Sequence, residues 1–459
     1  MRALVILLAG EAMATMDSSI LTVAAPSLRA DLGTSDAQLQ LTLAMYTIAF
    51  AALVVTGARL GDVLGRSRAF LLGLAGFTLS SLAGGLAPTP AALIVARAFQ
   101  GATGALMTPQ VLSIIQAQYH GETRARAIGA YSLILAVGVA AGQVIGGLLV
   151  AAHLLDAAWR PALLLNAPVG VLLLAGARRG LPAAATSARP RLDVAGAGVL
   201  AAALLALVLP LTFGRDAGWP MWVWPSFAAC ALTLAAFVAL ERRIQAGGRD
   251  PLFDLEVLTL PGVAPGIVAV LLGMGCYAAF VVSLTLHLQD GLGFGPLHSG
   301  LIFAAYASGF AVASLTWTRA SGAVRDRLPV AGPLAMGAAL MCVGLVARGG
   351  GWPVALTAPL LFAGGAGHAC GFSPLANRLT TTIRPAQAAD LSGLLMTATF
   401  VGVVIGTAGF VGVYLGAAPD GSAQALTLTT GALAGALVVT AACAVRAISP
   451  RRAPPLQPS

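Results

Sequence analysis

Apolar residues run through the chain in long stretches, and the polar positions between them are few. A helix needs about 20 apolar residues to cross the hydrocarbon of a bilayer. Fourteen stretches approach that length, at approximately 4–25, 39–57, 69–86, 91–116, 127–152, 162–177, 194–212, 222–240, 263–287, 300–318, 330–347, 354–374, 391–415 and 424–445. The longest connectors lie near 178–193 and 241–262, so the pattern predicts fourteen transmembrane helices and no separate soluble domain.

The composition supports an all-α integral membrane protein. The 459 residues are 58% hydrophobic and 9% charged, with a mean hydropathy of +0.88. Soluble domains carry about 25% charged residues, and this chain has too few to cover a water-facing surface. Residues 1–25 lack a small-residue cleavage site followed by a soluble domain, so we interpret them as a first span, not a removed signal.

The distribution of charge predicts the orientation in the membrane. All 26 basic residues are arginine. With the N-terminus inside, twenty-one arginines fall in cytoplasmic segments and four in external ones, and Arg97 lies within a span. Positive residues favour the cytoplasmic side, so we expect both termini there. A pI of about 10.0 could suit nucleic acid, but these arginines lie between apolar spans, so we expect no such partner.

Motifs for metal, nucleotide or catalytic chemistry are absent from the sequence. Its five cysteines show no CxxC spacing, so neither a disulfide framework nor a metal site is indicated. No GxxxxGK[ST], GxSxG or HExxH occurs. We therefore expect no cofactor, no enzyme activity and an ion gradient as the energy source. A receptor or a membrane-bound enzyme would require a soluble domain or a catalytic motif.

Glycine spacing reveals an internal duplication. An offset of 264 residues relates five pairs, namely Gly101 and Gly365, Gly129 and Gly393, Gly138 and Gly402, Gly142 and Gly406, and Asp62 and Asp326. The offset equals eight spans. It predicts two six-helix bundles, 1–180 and 251–447, with two inserted helices in 181–250 and a cytoplasmic tail at 448–459. Transporters are commonly built from such repeats, with the substrate near mid-membrane where the halves meet.

Several stretches resemble one family. They are TMDSSILTVAAPSL (15–28), GARLGDVLGRSRAF (57–70), RAFQGATGALMTP (97–109), ETRARAIGAYSLILAVGVAAGQVIGG (122–147), WRPALLLNAPVG (159–170) and LHLQDGLGFGPLHSGL (286–301). The chain resembles the major facilitator superfamily, specifically its fourteen-helix drug:proton antiporter branch.

That resemblance implies a major facilitator fold, present as a monomer in a bacterial cytoplasmic membrane. It also implies proton-coupled export of small amphipathic or cationic compounds, such as drugs and antibiotics, by alternating access. A dedicated exporter of one endogenous metabolite, such as a self-made antibiotic, is an alternative. Uptake by symport is another, and only the family resemblance of span 5 argues against it.

Two charged residues lie within spans of the first half. Asp17 sits near the outer part of span 1, where a carboxylate is costly by about 2.5–3.5 kcal/mol and usually faces a polar cavity. The family resemblance favours proton binding by Asp17 over a capping role. Arg97 needs an anionic or carbonyl partner, and we expect that partner to be Asp17, directly or through water. A purely structural arginine is the alternative.

Other polar and aromatic residues are candidates for a substrate cavity. Glu11 is the second acid of span 1; it recognises a cationic substrate, carries a second proton or bonds a neighbour. His368 titrates near neutral pH or packs as a neutral side chain. Aromatic and methionine side chains could line an adaptable pocket, or could contact lipid. The remaining candidates are Met13, Tyr46, Gln100, Tyr131, Gln143, Tyr277 and Phe400.

Two glycine-rich stretches are expected to act in the conformational change. The 2–3 loop resembles a latch that holds the halves together on the cytoplasmic side, or serves as a topology signal only; its residues are Gly57, Gly61, Asp62, Gly65, Arg66 and Arg68. Its second copy keeps Asp326 but loses most glycines, so we expect a weaker latch there.

Span 5 carries glycines every four residues, and small residues let helices approach closely in lipid. They are Gly129, Gly138, Gly142, Gly146 and Gly147. The resemblance places the neighbour of this stripe in the opposite half, although an ordinary packing face is an alternative. The family pattern has proline where this chain has Gln143, so a proline kink is not expected.

Overall fold

The structure is a computed structural model that describes residues 2–151, 159–180, 194–214, 218–247, 256–384 and 387–449. These residues form helices and contain no strand. The helices are α1 Arg2–Leu32, α2 Asp36–Leu64, α3 Arg66–Gly85, α4 Pro90–Gln118, α5 Gly121–Ala151, α6 Arg160–Leu164, α7 Asn166–Gly180, α8 Val194–Phe213, α9 Val223–Ala246, α10 Glu256–Thr259, α11 Val263–Leu286, α12 Pro296–Thr316, α13 Gly322–Ala347, α14 Val354–Thr382, α15 Ala388–Ala417 and α16 Ser422–Ile448. One turn of π-helix, His287–Gly291, continues α11.

Each of the fourteen predicted spans falls on a helix, or on the α6–α7 pair for residues 162–177. In the described part of the chain, 12 helices are long and apolar enough to cross a membrane by length and composition. Helices α5 and α8, of 31 and 20 residues, fall on the two other predicted spans. The all-helical membrane architecture is thus confirmed, and the count of fourteen spans stays a prediction.

Local sequence signals set the ends of α2. Ser35 forms a capping box at its beginning: the Ser35 hydroxyl accepts from the Gln38 amide, and the Gln38 side chain accepts from the Ser35 amide. This arrangement satisfies two backbone N–H groups that a helix start leaves unpaired. The helix ends at Gly65, whose φ of 88° favours glycine. The next helix starts at once, so α2 and α3 are joined by a single residue.

The two halves repeat the same helix packing. In the first half α1 packs on α5, and both α2 and α3 pack on α4. In the second half α11 packs on α15, and both α12 and α13 pack on α14. A Cβ atom on Gly101 would collide with the carbonyl of Tyr46, and one on Gly365 would collide with the carbonyl of Tyr306. The duplicated glycines therefore mark equivalent helix crossings.

Contacts between the halves also occur in corresponding pairs. Helix α5 packs on α12, and α2 packs on α15. The inserted helix α8 packs on α9 and also on α2 and α15, so it touches both halves. The division into 1–180, 181–250 and 251–447 stays a prediction, since residues 181–193 and 248–255 and most of the tail lie outside the described ranges.

Candidate functional site

Asp17 lies halfway along α1 with its carboxylate buried. Its Oδ1 accepts hydrogen bonds from Gln100 Nε2 at 2.8 Å and from Asn166 Nδ2 at 2.6 Å. Its Oδ2 forms a buried ion pair with the guanidinium of Arg97. We expected Asp17 nearer the outer end of a span closing at residue 25, but α1 continues to Leu32. One carboxylate thus ties together α1, α4 and α7.

Asn166 and Ser81 complete this cluster, and neither was predicted from the sequence. Ser81 Oγ, on α3, accepts from Gln100 Nε2 at 2.7 Å and lies 3.4 Å from Asn166 Nδ2. Asn166 is the first residue of α7, immediately after the break that separates it from α6. The available signal was an amide inside the apolar stretch RPALLLNAPVG, because polar groups at membrane depth usually bond to another helix.

The Arg97 guanidinium has three neighbours. Besides Asp17, it donates to Gln100 Oε1 at 2.7 Å and lies 4.8 Å from the centroid of the Tyr46 ring, a cation–π distance. Tyr46 in turn donates to the carbonyl of Ala14 on α1 at 3.2 Å. The expected Asp17–Arg97 pair is present, and Gln100 also belongs to this cluster. The role of the pair in proton coupling stays a prediction.

Glu11, the second acid of α1, is only 1% exposed. Thr108 on α4 lies beside it. Within the described residues, neither Glu11 Oε2 nor the Thr108 hydroxyl has a partner in hydrogen-bonding geometry. The structure therefore separates two acids, one fully bonded and one without a counter-charge.

An aromatic and methionine layer joins the two halves. Tyr131 on α5 donates to the sulfur of Met396 on α15 at 3.4 Å. The rings of Phe50 on α2 and Phe400 on α15 lie 4.0 Å apart. Met13 belongs to the same buried cluster. These predicted cavity residues are packed against one another, whereas the side chain of Gln143 lies outside the described part.

Tyr277 and His368 come together inside the second half. The Tyr306 hydroxyl lies 3.0 Å from His368 Nδ1. The His368 ring is 4.9 Å from Tyr277 and 5.0 Å from Phe310. It also borders a small, largely apolar cavity between α11, α13, α14 and α16. The geometry is that of a packed histidine with one hydrogen-bonded nitrogen.

The polar cluster of the first half is not repeated in the second half. At the offset of 264 residues, the positions equivalent to Asp17, Arg97 and Gln100 hold Val281, Leu361 and Gly364. In the described ranges, no group of three or more His, Cys, Asp or Glu residues could hold a metal ion. The Asp17–Arg97 ion pair of the first half therefore has no counterpart at the equivalent positions of the second half.

The residues of the expected latch lie where α2 meets α3. Asp62 belongs to the last turn of α2 and not to a loop, since Gly65 alone forms the connection. Cβ atoms on Gly57 or Gly61 would collide with α4. These glycines allow α2 to lie directly against α4 and fix the position of the charged residues at its end.

An ion pair between Arg59 and Asp390 connects the two halves. The Arg59 guanidinium lies 2.8 Å from the carboxylate of Asp390, at the start of α15. Asp62 pairs within its own half, at 3.7 Å from Arg59 and 3.5 Å from Arg66. We expected Asp62, Arg66 and Arg68 to join the halves, but Arg68 is exposed and Asp62 faces Arg66 and Arg59. Asp62 therefore contributes by holding Arg59.

The second copy of the latch, around Asp326, forms weaker contacts. Asp326 is 75% exposed and lies 3.9 Å from Arg378. Arg325 donates instead to the backbone carbonyls of Thr318 and Ala320, at 2.6 and 3.1 Å. This difference agrees with the loss of glycines from the second stretch.

The α5 glycines mostly face a neighbour within their own half. Cβ atoms on Gly138, Gly142 and Gly146 would meet α1, in that order, at Thr15, Met16 and Ile20. The expected contact with the opposite half therefore does not hold for these three. It holds for Gly129, whose carbonyl accepts from Ser314 Oγ on α12 at 2.7 Å. The spacing of four residues places these three glycines on one face of α5, and α1 packs along that face. The environment of Gly147 lies outside the described part.

Comparisons with known proteins agree with this geometry. The sequence profile of the Major Facilitator Superfamily matches residues 7–407. The chain is 33% identical over 407 residues to the probable actinorhodin transporter of Streptomyces coelicolor, covering 88% of this chain and 70% of that one. It is 36% identical over 420 residues to the cephamycin export protein CmcT of Amycolatopsis lactamdurans, covering 88% and 83%.

A solved structure supports the fold. The crystal structure of the human organic anion transporter MFSD10 (TETRAN) superposes with a TM-score of 0.67, covering 96% of this chain and 99% of that chain. The sequences are 16% identical, so this similarity concerns the fold alone.

Proposed function

This chain belongs to the Major Facilitator Superfamily, and from that premise we propose that it exports small amphipathic or cationic compounds, antibiotics among them, in exchange for protons. It is a multi-pass membrane transporter of small molecules and not an enzyme. The buried carboxylate of Asp17 carries the proposal. The protein works as a monomer in a bacterial cytoplasmic membrane, with both termini in the cytoplasm and the proton gradient as the energy source.

Asp17 is the proton-binding group. As a carboxylate it is balanced by Arg97 and bonded by the amides of Gln100 and Asn166. A proton on Asp17 removes the negative charge, and Arg97 then lacks its counter-ion in a buried site. A buried charge without a partner is strongly unfavourable. Protonation therefore changes the most stable arrangement of the cluster.

The cluster transmits this change to four helices. Asp17 lies on α1, Ser81 on α3, Arg97 and Gln100 on α4, and Asn166 at the start of α7. A rearrangement of their hydrogen bonds shifts how these helices meet. Two discrete arrangements of such a network, each favoured by one protonation state, give the bistable element that coupling requires.

Contacts between the halves hold one side closed in this conformation. Arg59 pairs with Asp390, and Ser314 donates to the Gly129 carbonyl. By the predicted orientation, both contacts lie on the cytoplasmic side. These contacts form the latch, with Asp62 and Arg66 positioning Arg59. The latch opens when substrate enters from the cytoplasm and closes when the site faces outward.

The proposal is tested with the full chain reconstituted in liposomes under an imposed pH gradient. The panel contains ethidium, a neutral amphipathic dye and a planar aromatic antibiotic. We expect transport of several compounds that stops when a protonophore collapses the gradient. Transport that persists unchanged without the gradient would contradict proton coupling, and no transport of any compound would contradict export of this class.

Export of one endogenous antibiotic is the second candidate. The two relatives compared above are named for a single antibiotic each, which favours a narrow substrate range. The same panel distinguishes a dedicated exporter from a multidrug exporter. A dedicated exporter should not transport the two dyes, whereas a multidrug exporter should.

A further inference from the structure

The end of α11 carries a buried histidine that the proposed export mechanism does not use. His287 is only 1% exposed. Its Nδ1 lies 3.1 Å from the hydroxyl of Ser422, the first residue of α16. Its Nε2 has no hydrogen-bond partner among the described residues, and neither has the buried indole N–H of Trp352. The rings of His287 and Trp352 lie 6.0 Å apart. One imidazole nitrogen is therefore bonded and the other is not.

His287 also begins the single π turn that continues α11. This turn spans His287–Gly291, and the Leu292 N–H donates to the His287 carbonyl at 3.0 Å. The turn packs directly on the start of α16, since a Cβ atom on Gly291 would collide with the Ser422 side chain. Such turns often occur at functional sites. A change to α-helical bonding would pair the His287 carbonyl with Gly291 in place of Leu292. The turn thus has two possible arrangements, and the observed one holds α11 against α16.

No described group balances a positive charge on this imidazole. The π turn packs on α11, α12 and α16, and Trp352 lies in the connection between α13 and α14. The charged or titratable side chains near this end of those elements are all exposed, namely Asp290, His298, Arg348 and Asp420. The other titratable groups of α11, α12 and α16 lie more than two helical turns away along their helices. A proton on Nε2 would therefore leave a buried charge and a buried N–H donor unpaired, which is unfavourable.

We propose that His287 is a proton-binding site loaded from the outer side, and that a proton there releases the π turn from α16. By the predicted orientation, this end of α11 faces the outside. A hydrated proton transfers to Nε2, an N–H bond forms and a water molecule is left. The charged ring then moves toward the outer water, which solvates both its charge and its new donor. The inference goes beyond the proposed export function, because it requires neither Asp17 nor a substrate.

The external pH should therefore control how firmly the end of α11 is held. Once in water, the imidazole binds a proton with its ordinary pKa of about 6.5. Release should begin as the pH falls below that value. A single proton shifts the ratio of released to bound protein by at most about tenfold per pH unit. A neutral exterior favours the observed arrangement, and an acidic exterior favours the released one.

Trp352 serves as the reporter in the test. The full chain in lipid nanodiscs is titrated between about pH 8 and pH 5, a range that brackets the ordinary histidine pKa. The Trp352 signal is the fluorescence of the parent minus that of Trp352→Phe. Quenching of this signal by acrylamide in the water should increase as the pH falls, because release exposes the indole. We expect the released fraction relative to the bound one to rise about tenfold or more over this range.

The variants separate this site from other titrating groups. His287→Asn keeps an amide that can bond Ser422 but does not titrate, so its quenching should change less than about twofold over the same range. His298→Gln is the matched control, since His298 is exposed nearby and stacks on Phe294 at 4.4 Å; it should titrate as the parent does. Asp17→Asn should also titrate as the parent does.

Ser422→Ala tests the contact that holds the turn. It keeps the histidine but removes its hydrogen-bond partner, so the released fraction at neutral pH should rise about two- to tenfold. Quenching at neutral pH equal to that of the parent would refute the role of this contact. A pH response that is absent from the parent, persists in His287→Asn or is lost in Asp17→Asn would overturn the proton site. Failure of the liposome panel would instead refute the export function and leave this titration in place.

Discussion

Removal of the Asp390 carboxylate should open the side of the protein that the Arg59–Asp390 pair closes. Asp390 is 4% exposed and Arg59 is 17% exposed, with their charged atoms 2.8 Å apart. Breaking a buried pair by removing one partner costs about 3–5 kcal/mol. Arg59 keeps Asp62 at 3.7 Å, so we expect roughly half of that, about 1.5–2.5 kcal/mol. At 1.4 kcal/mol per factor of ten, Asp390→Asn should shift the equilibrium about 10- to 60-fold toward the open state.

The assay is a distance distribution between spin labels in a cysteine-free background. Labels at Arg68 and Arg327 suit it, because both are exposed near this side, one in each half. We expect the parent protein to show mainly the shorter distance and Asp390→Asn to populate a longer one. The charge swap Arg59→Asp with Asp390→Arg should restore part of the shorter population.

Glu122→Gln is the control for this series. It removes a carboxylate whose pair with Arg126 is exposed and lies within one helix, so the distances should not change. An identical distribution in the parent and in Asp390→Asn would refute the role of the pair.

Three further substitutions test the cluster and the packing. Asn166→Ala removes a hydrogen bond to the charged Asp17, a loss of about 1.5–3 kcal/mol, and should reduce proton-driven dye efflux about tenfold or more at equal protein amounts in liposomes. Arg97→Lys keeps the charge but loses the planar fork, so the same efflux assay should show activity between that of Arg97→Ala and the parent. Gly142→Val would push against the α1 backbone and should lower the thermal unfolding temperature, whereas Gly409→Val, at a position with open space, should leave it unchanged.

Hydropathy predicts the helices of this chain well because lipid imposes a strong condition on them. Backbone groups in the bilayer must bond within the segment, so an apolar stretch of sufficient length can only be a helix in this setting. The pairing of Asp17 with Arg97 follows from the same logic, since two opposite charges within spans of the same half each need a partner. The structure shows this pair directly.

Other features depend on how each helix is rotated, and a single sequence does not contain that information. Asn166 and Ser81 are neutral and can hydrogen-bond to many polar groups. Their partners therefore could not be predicted from the residue types alone. The glycine stripe of α5 defines a face, but the identity of the helix against it comes from packing. Asp390 was overlooked because an acid at the start of a span also suits the helix dipole, and its contact with Arg59 links residues far apart in sequence.

The measurement that tests proton coupling at Asp17 most directly is the simultaneous recording of proton and substrate flux in liposomes. The parent protein should move protons in the direction opposite to ethidium, and both fluxes should fall when either gradient is removed. Asp17→Asn, reconstituted at equal amounts with its helical content checked, should show no proton flux in response to ethidium. Proton movement in Asp17→Asn equal to that of the parent would contradict the account.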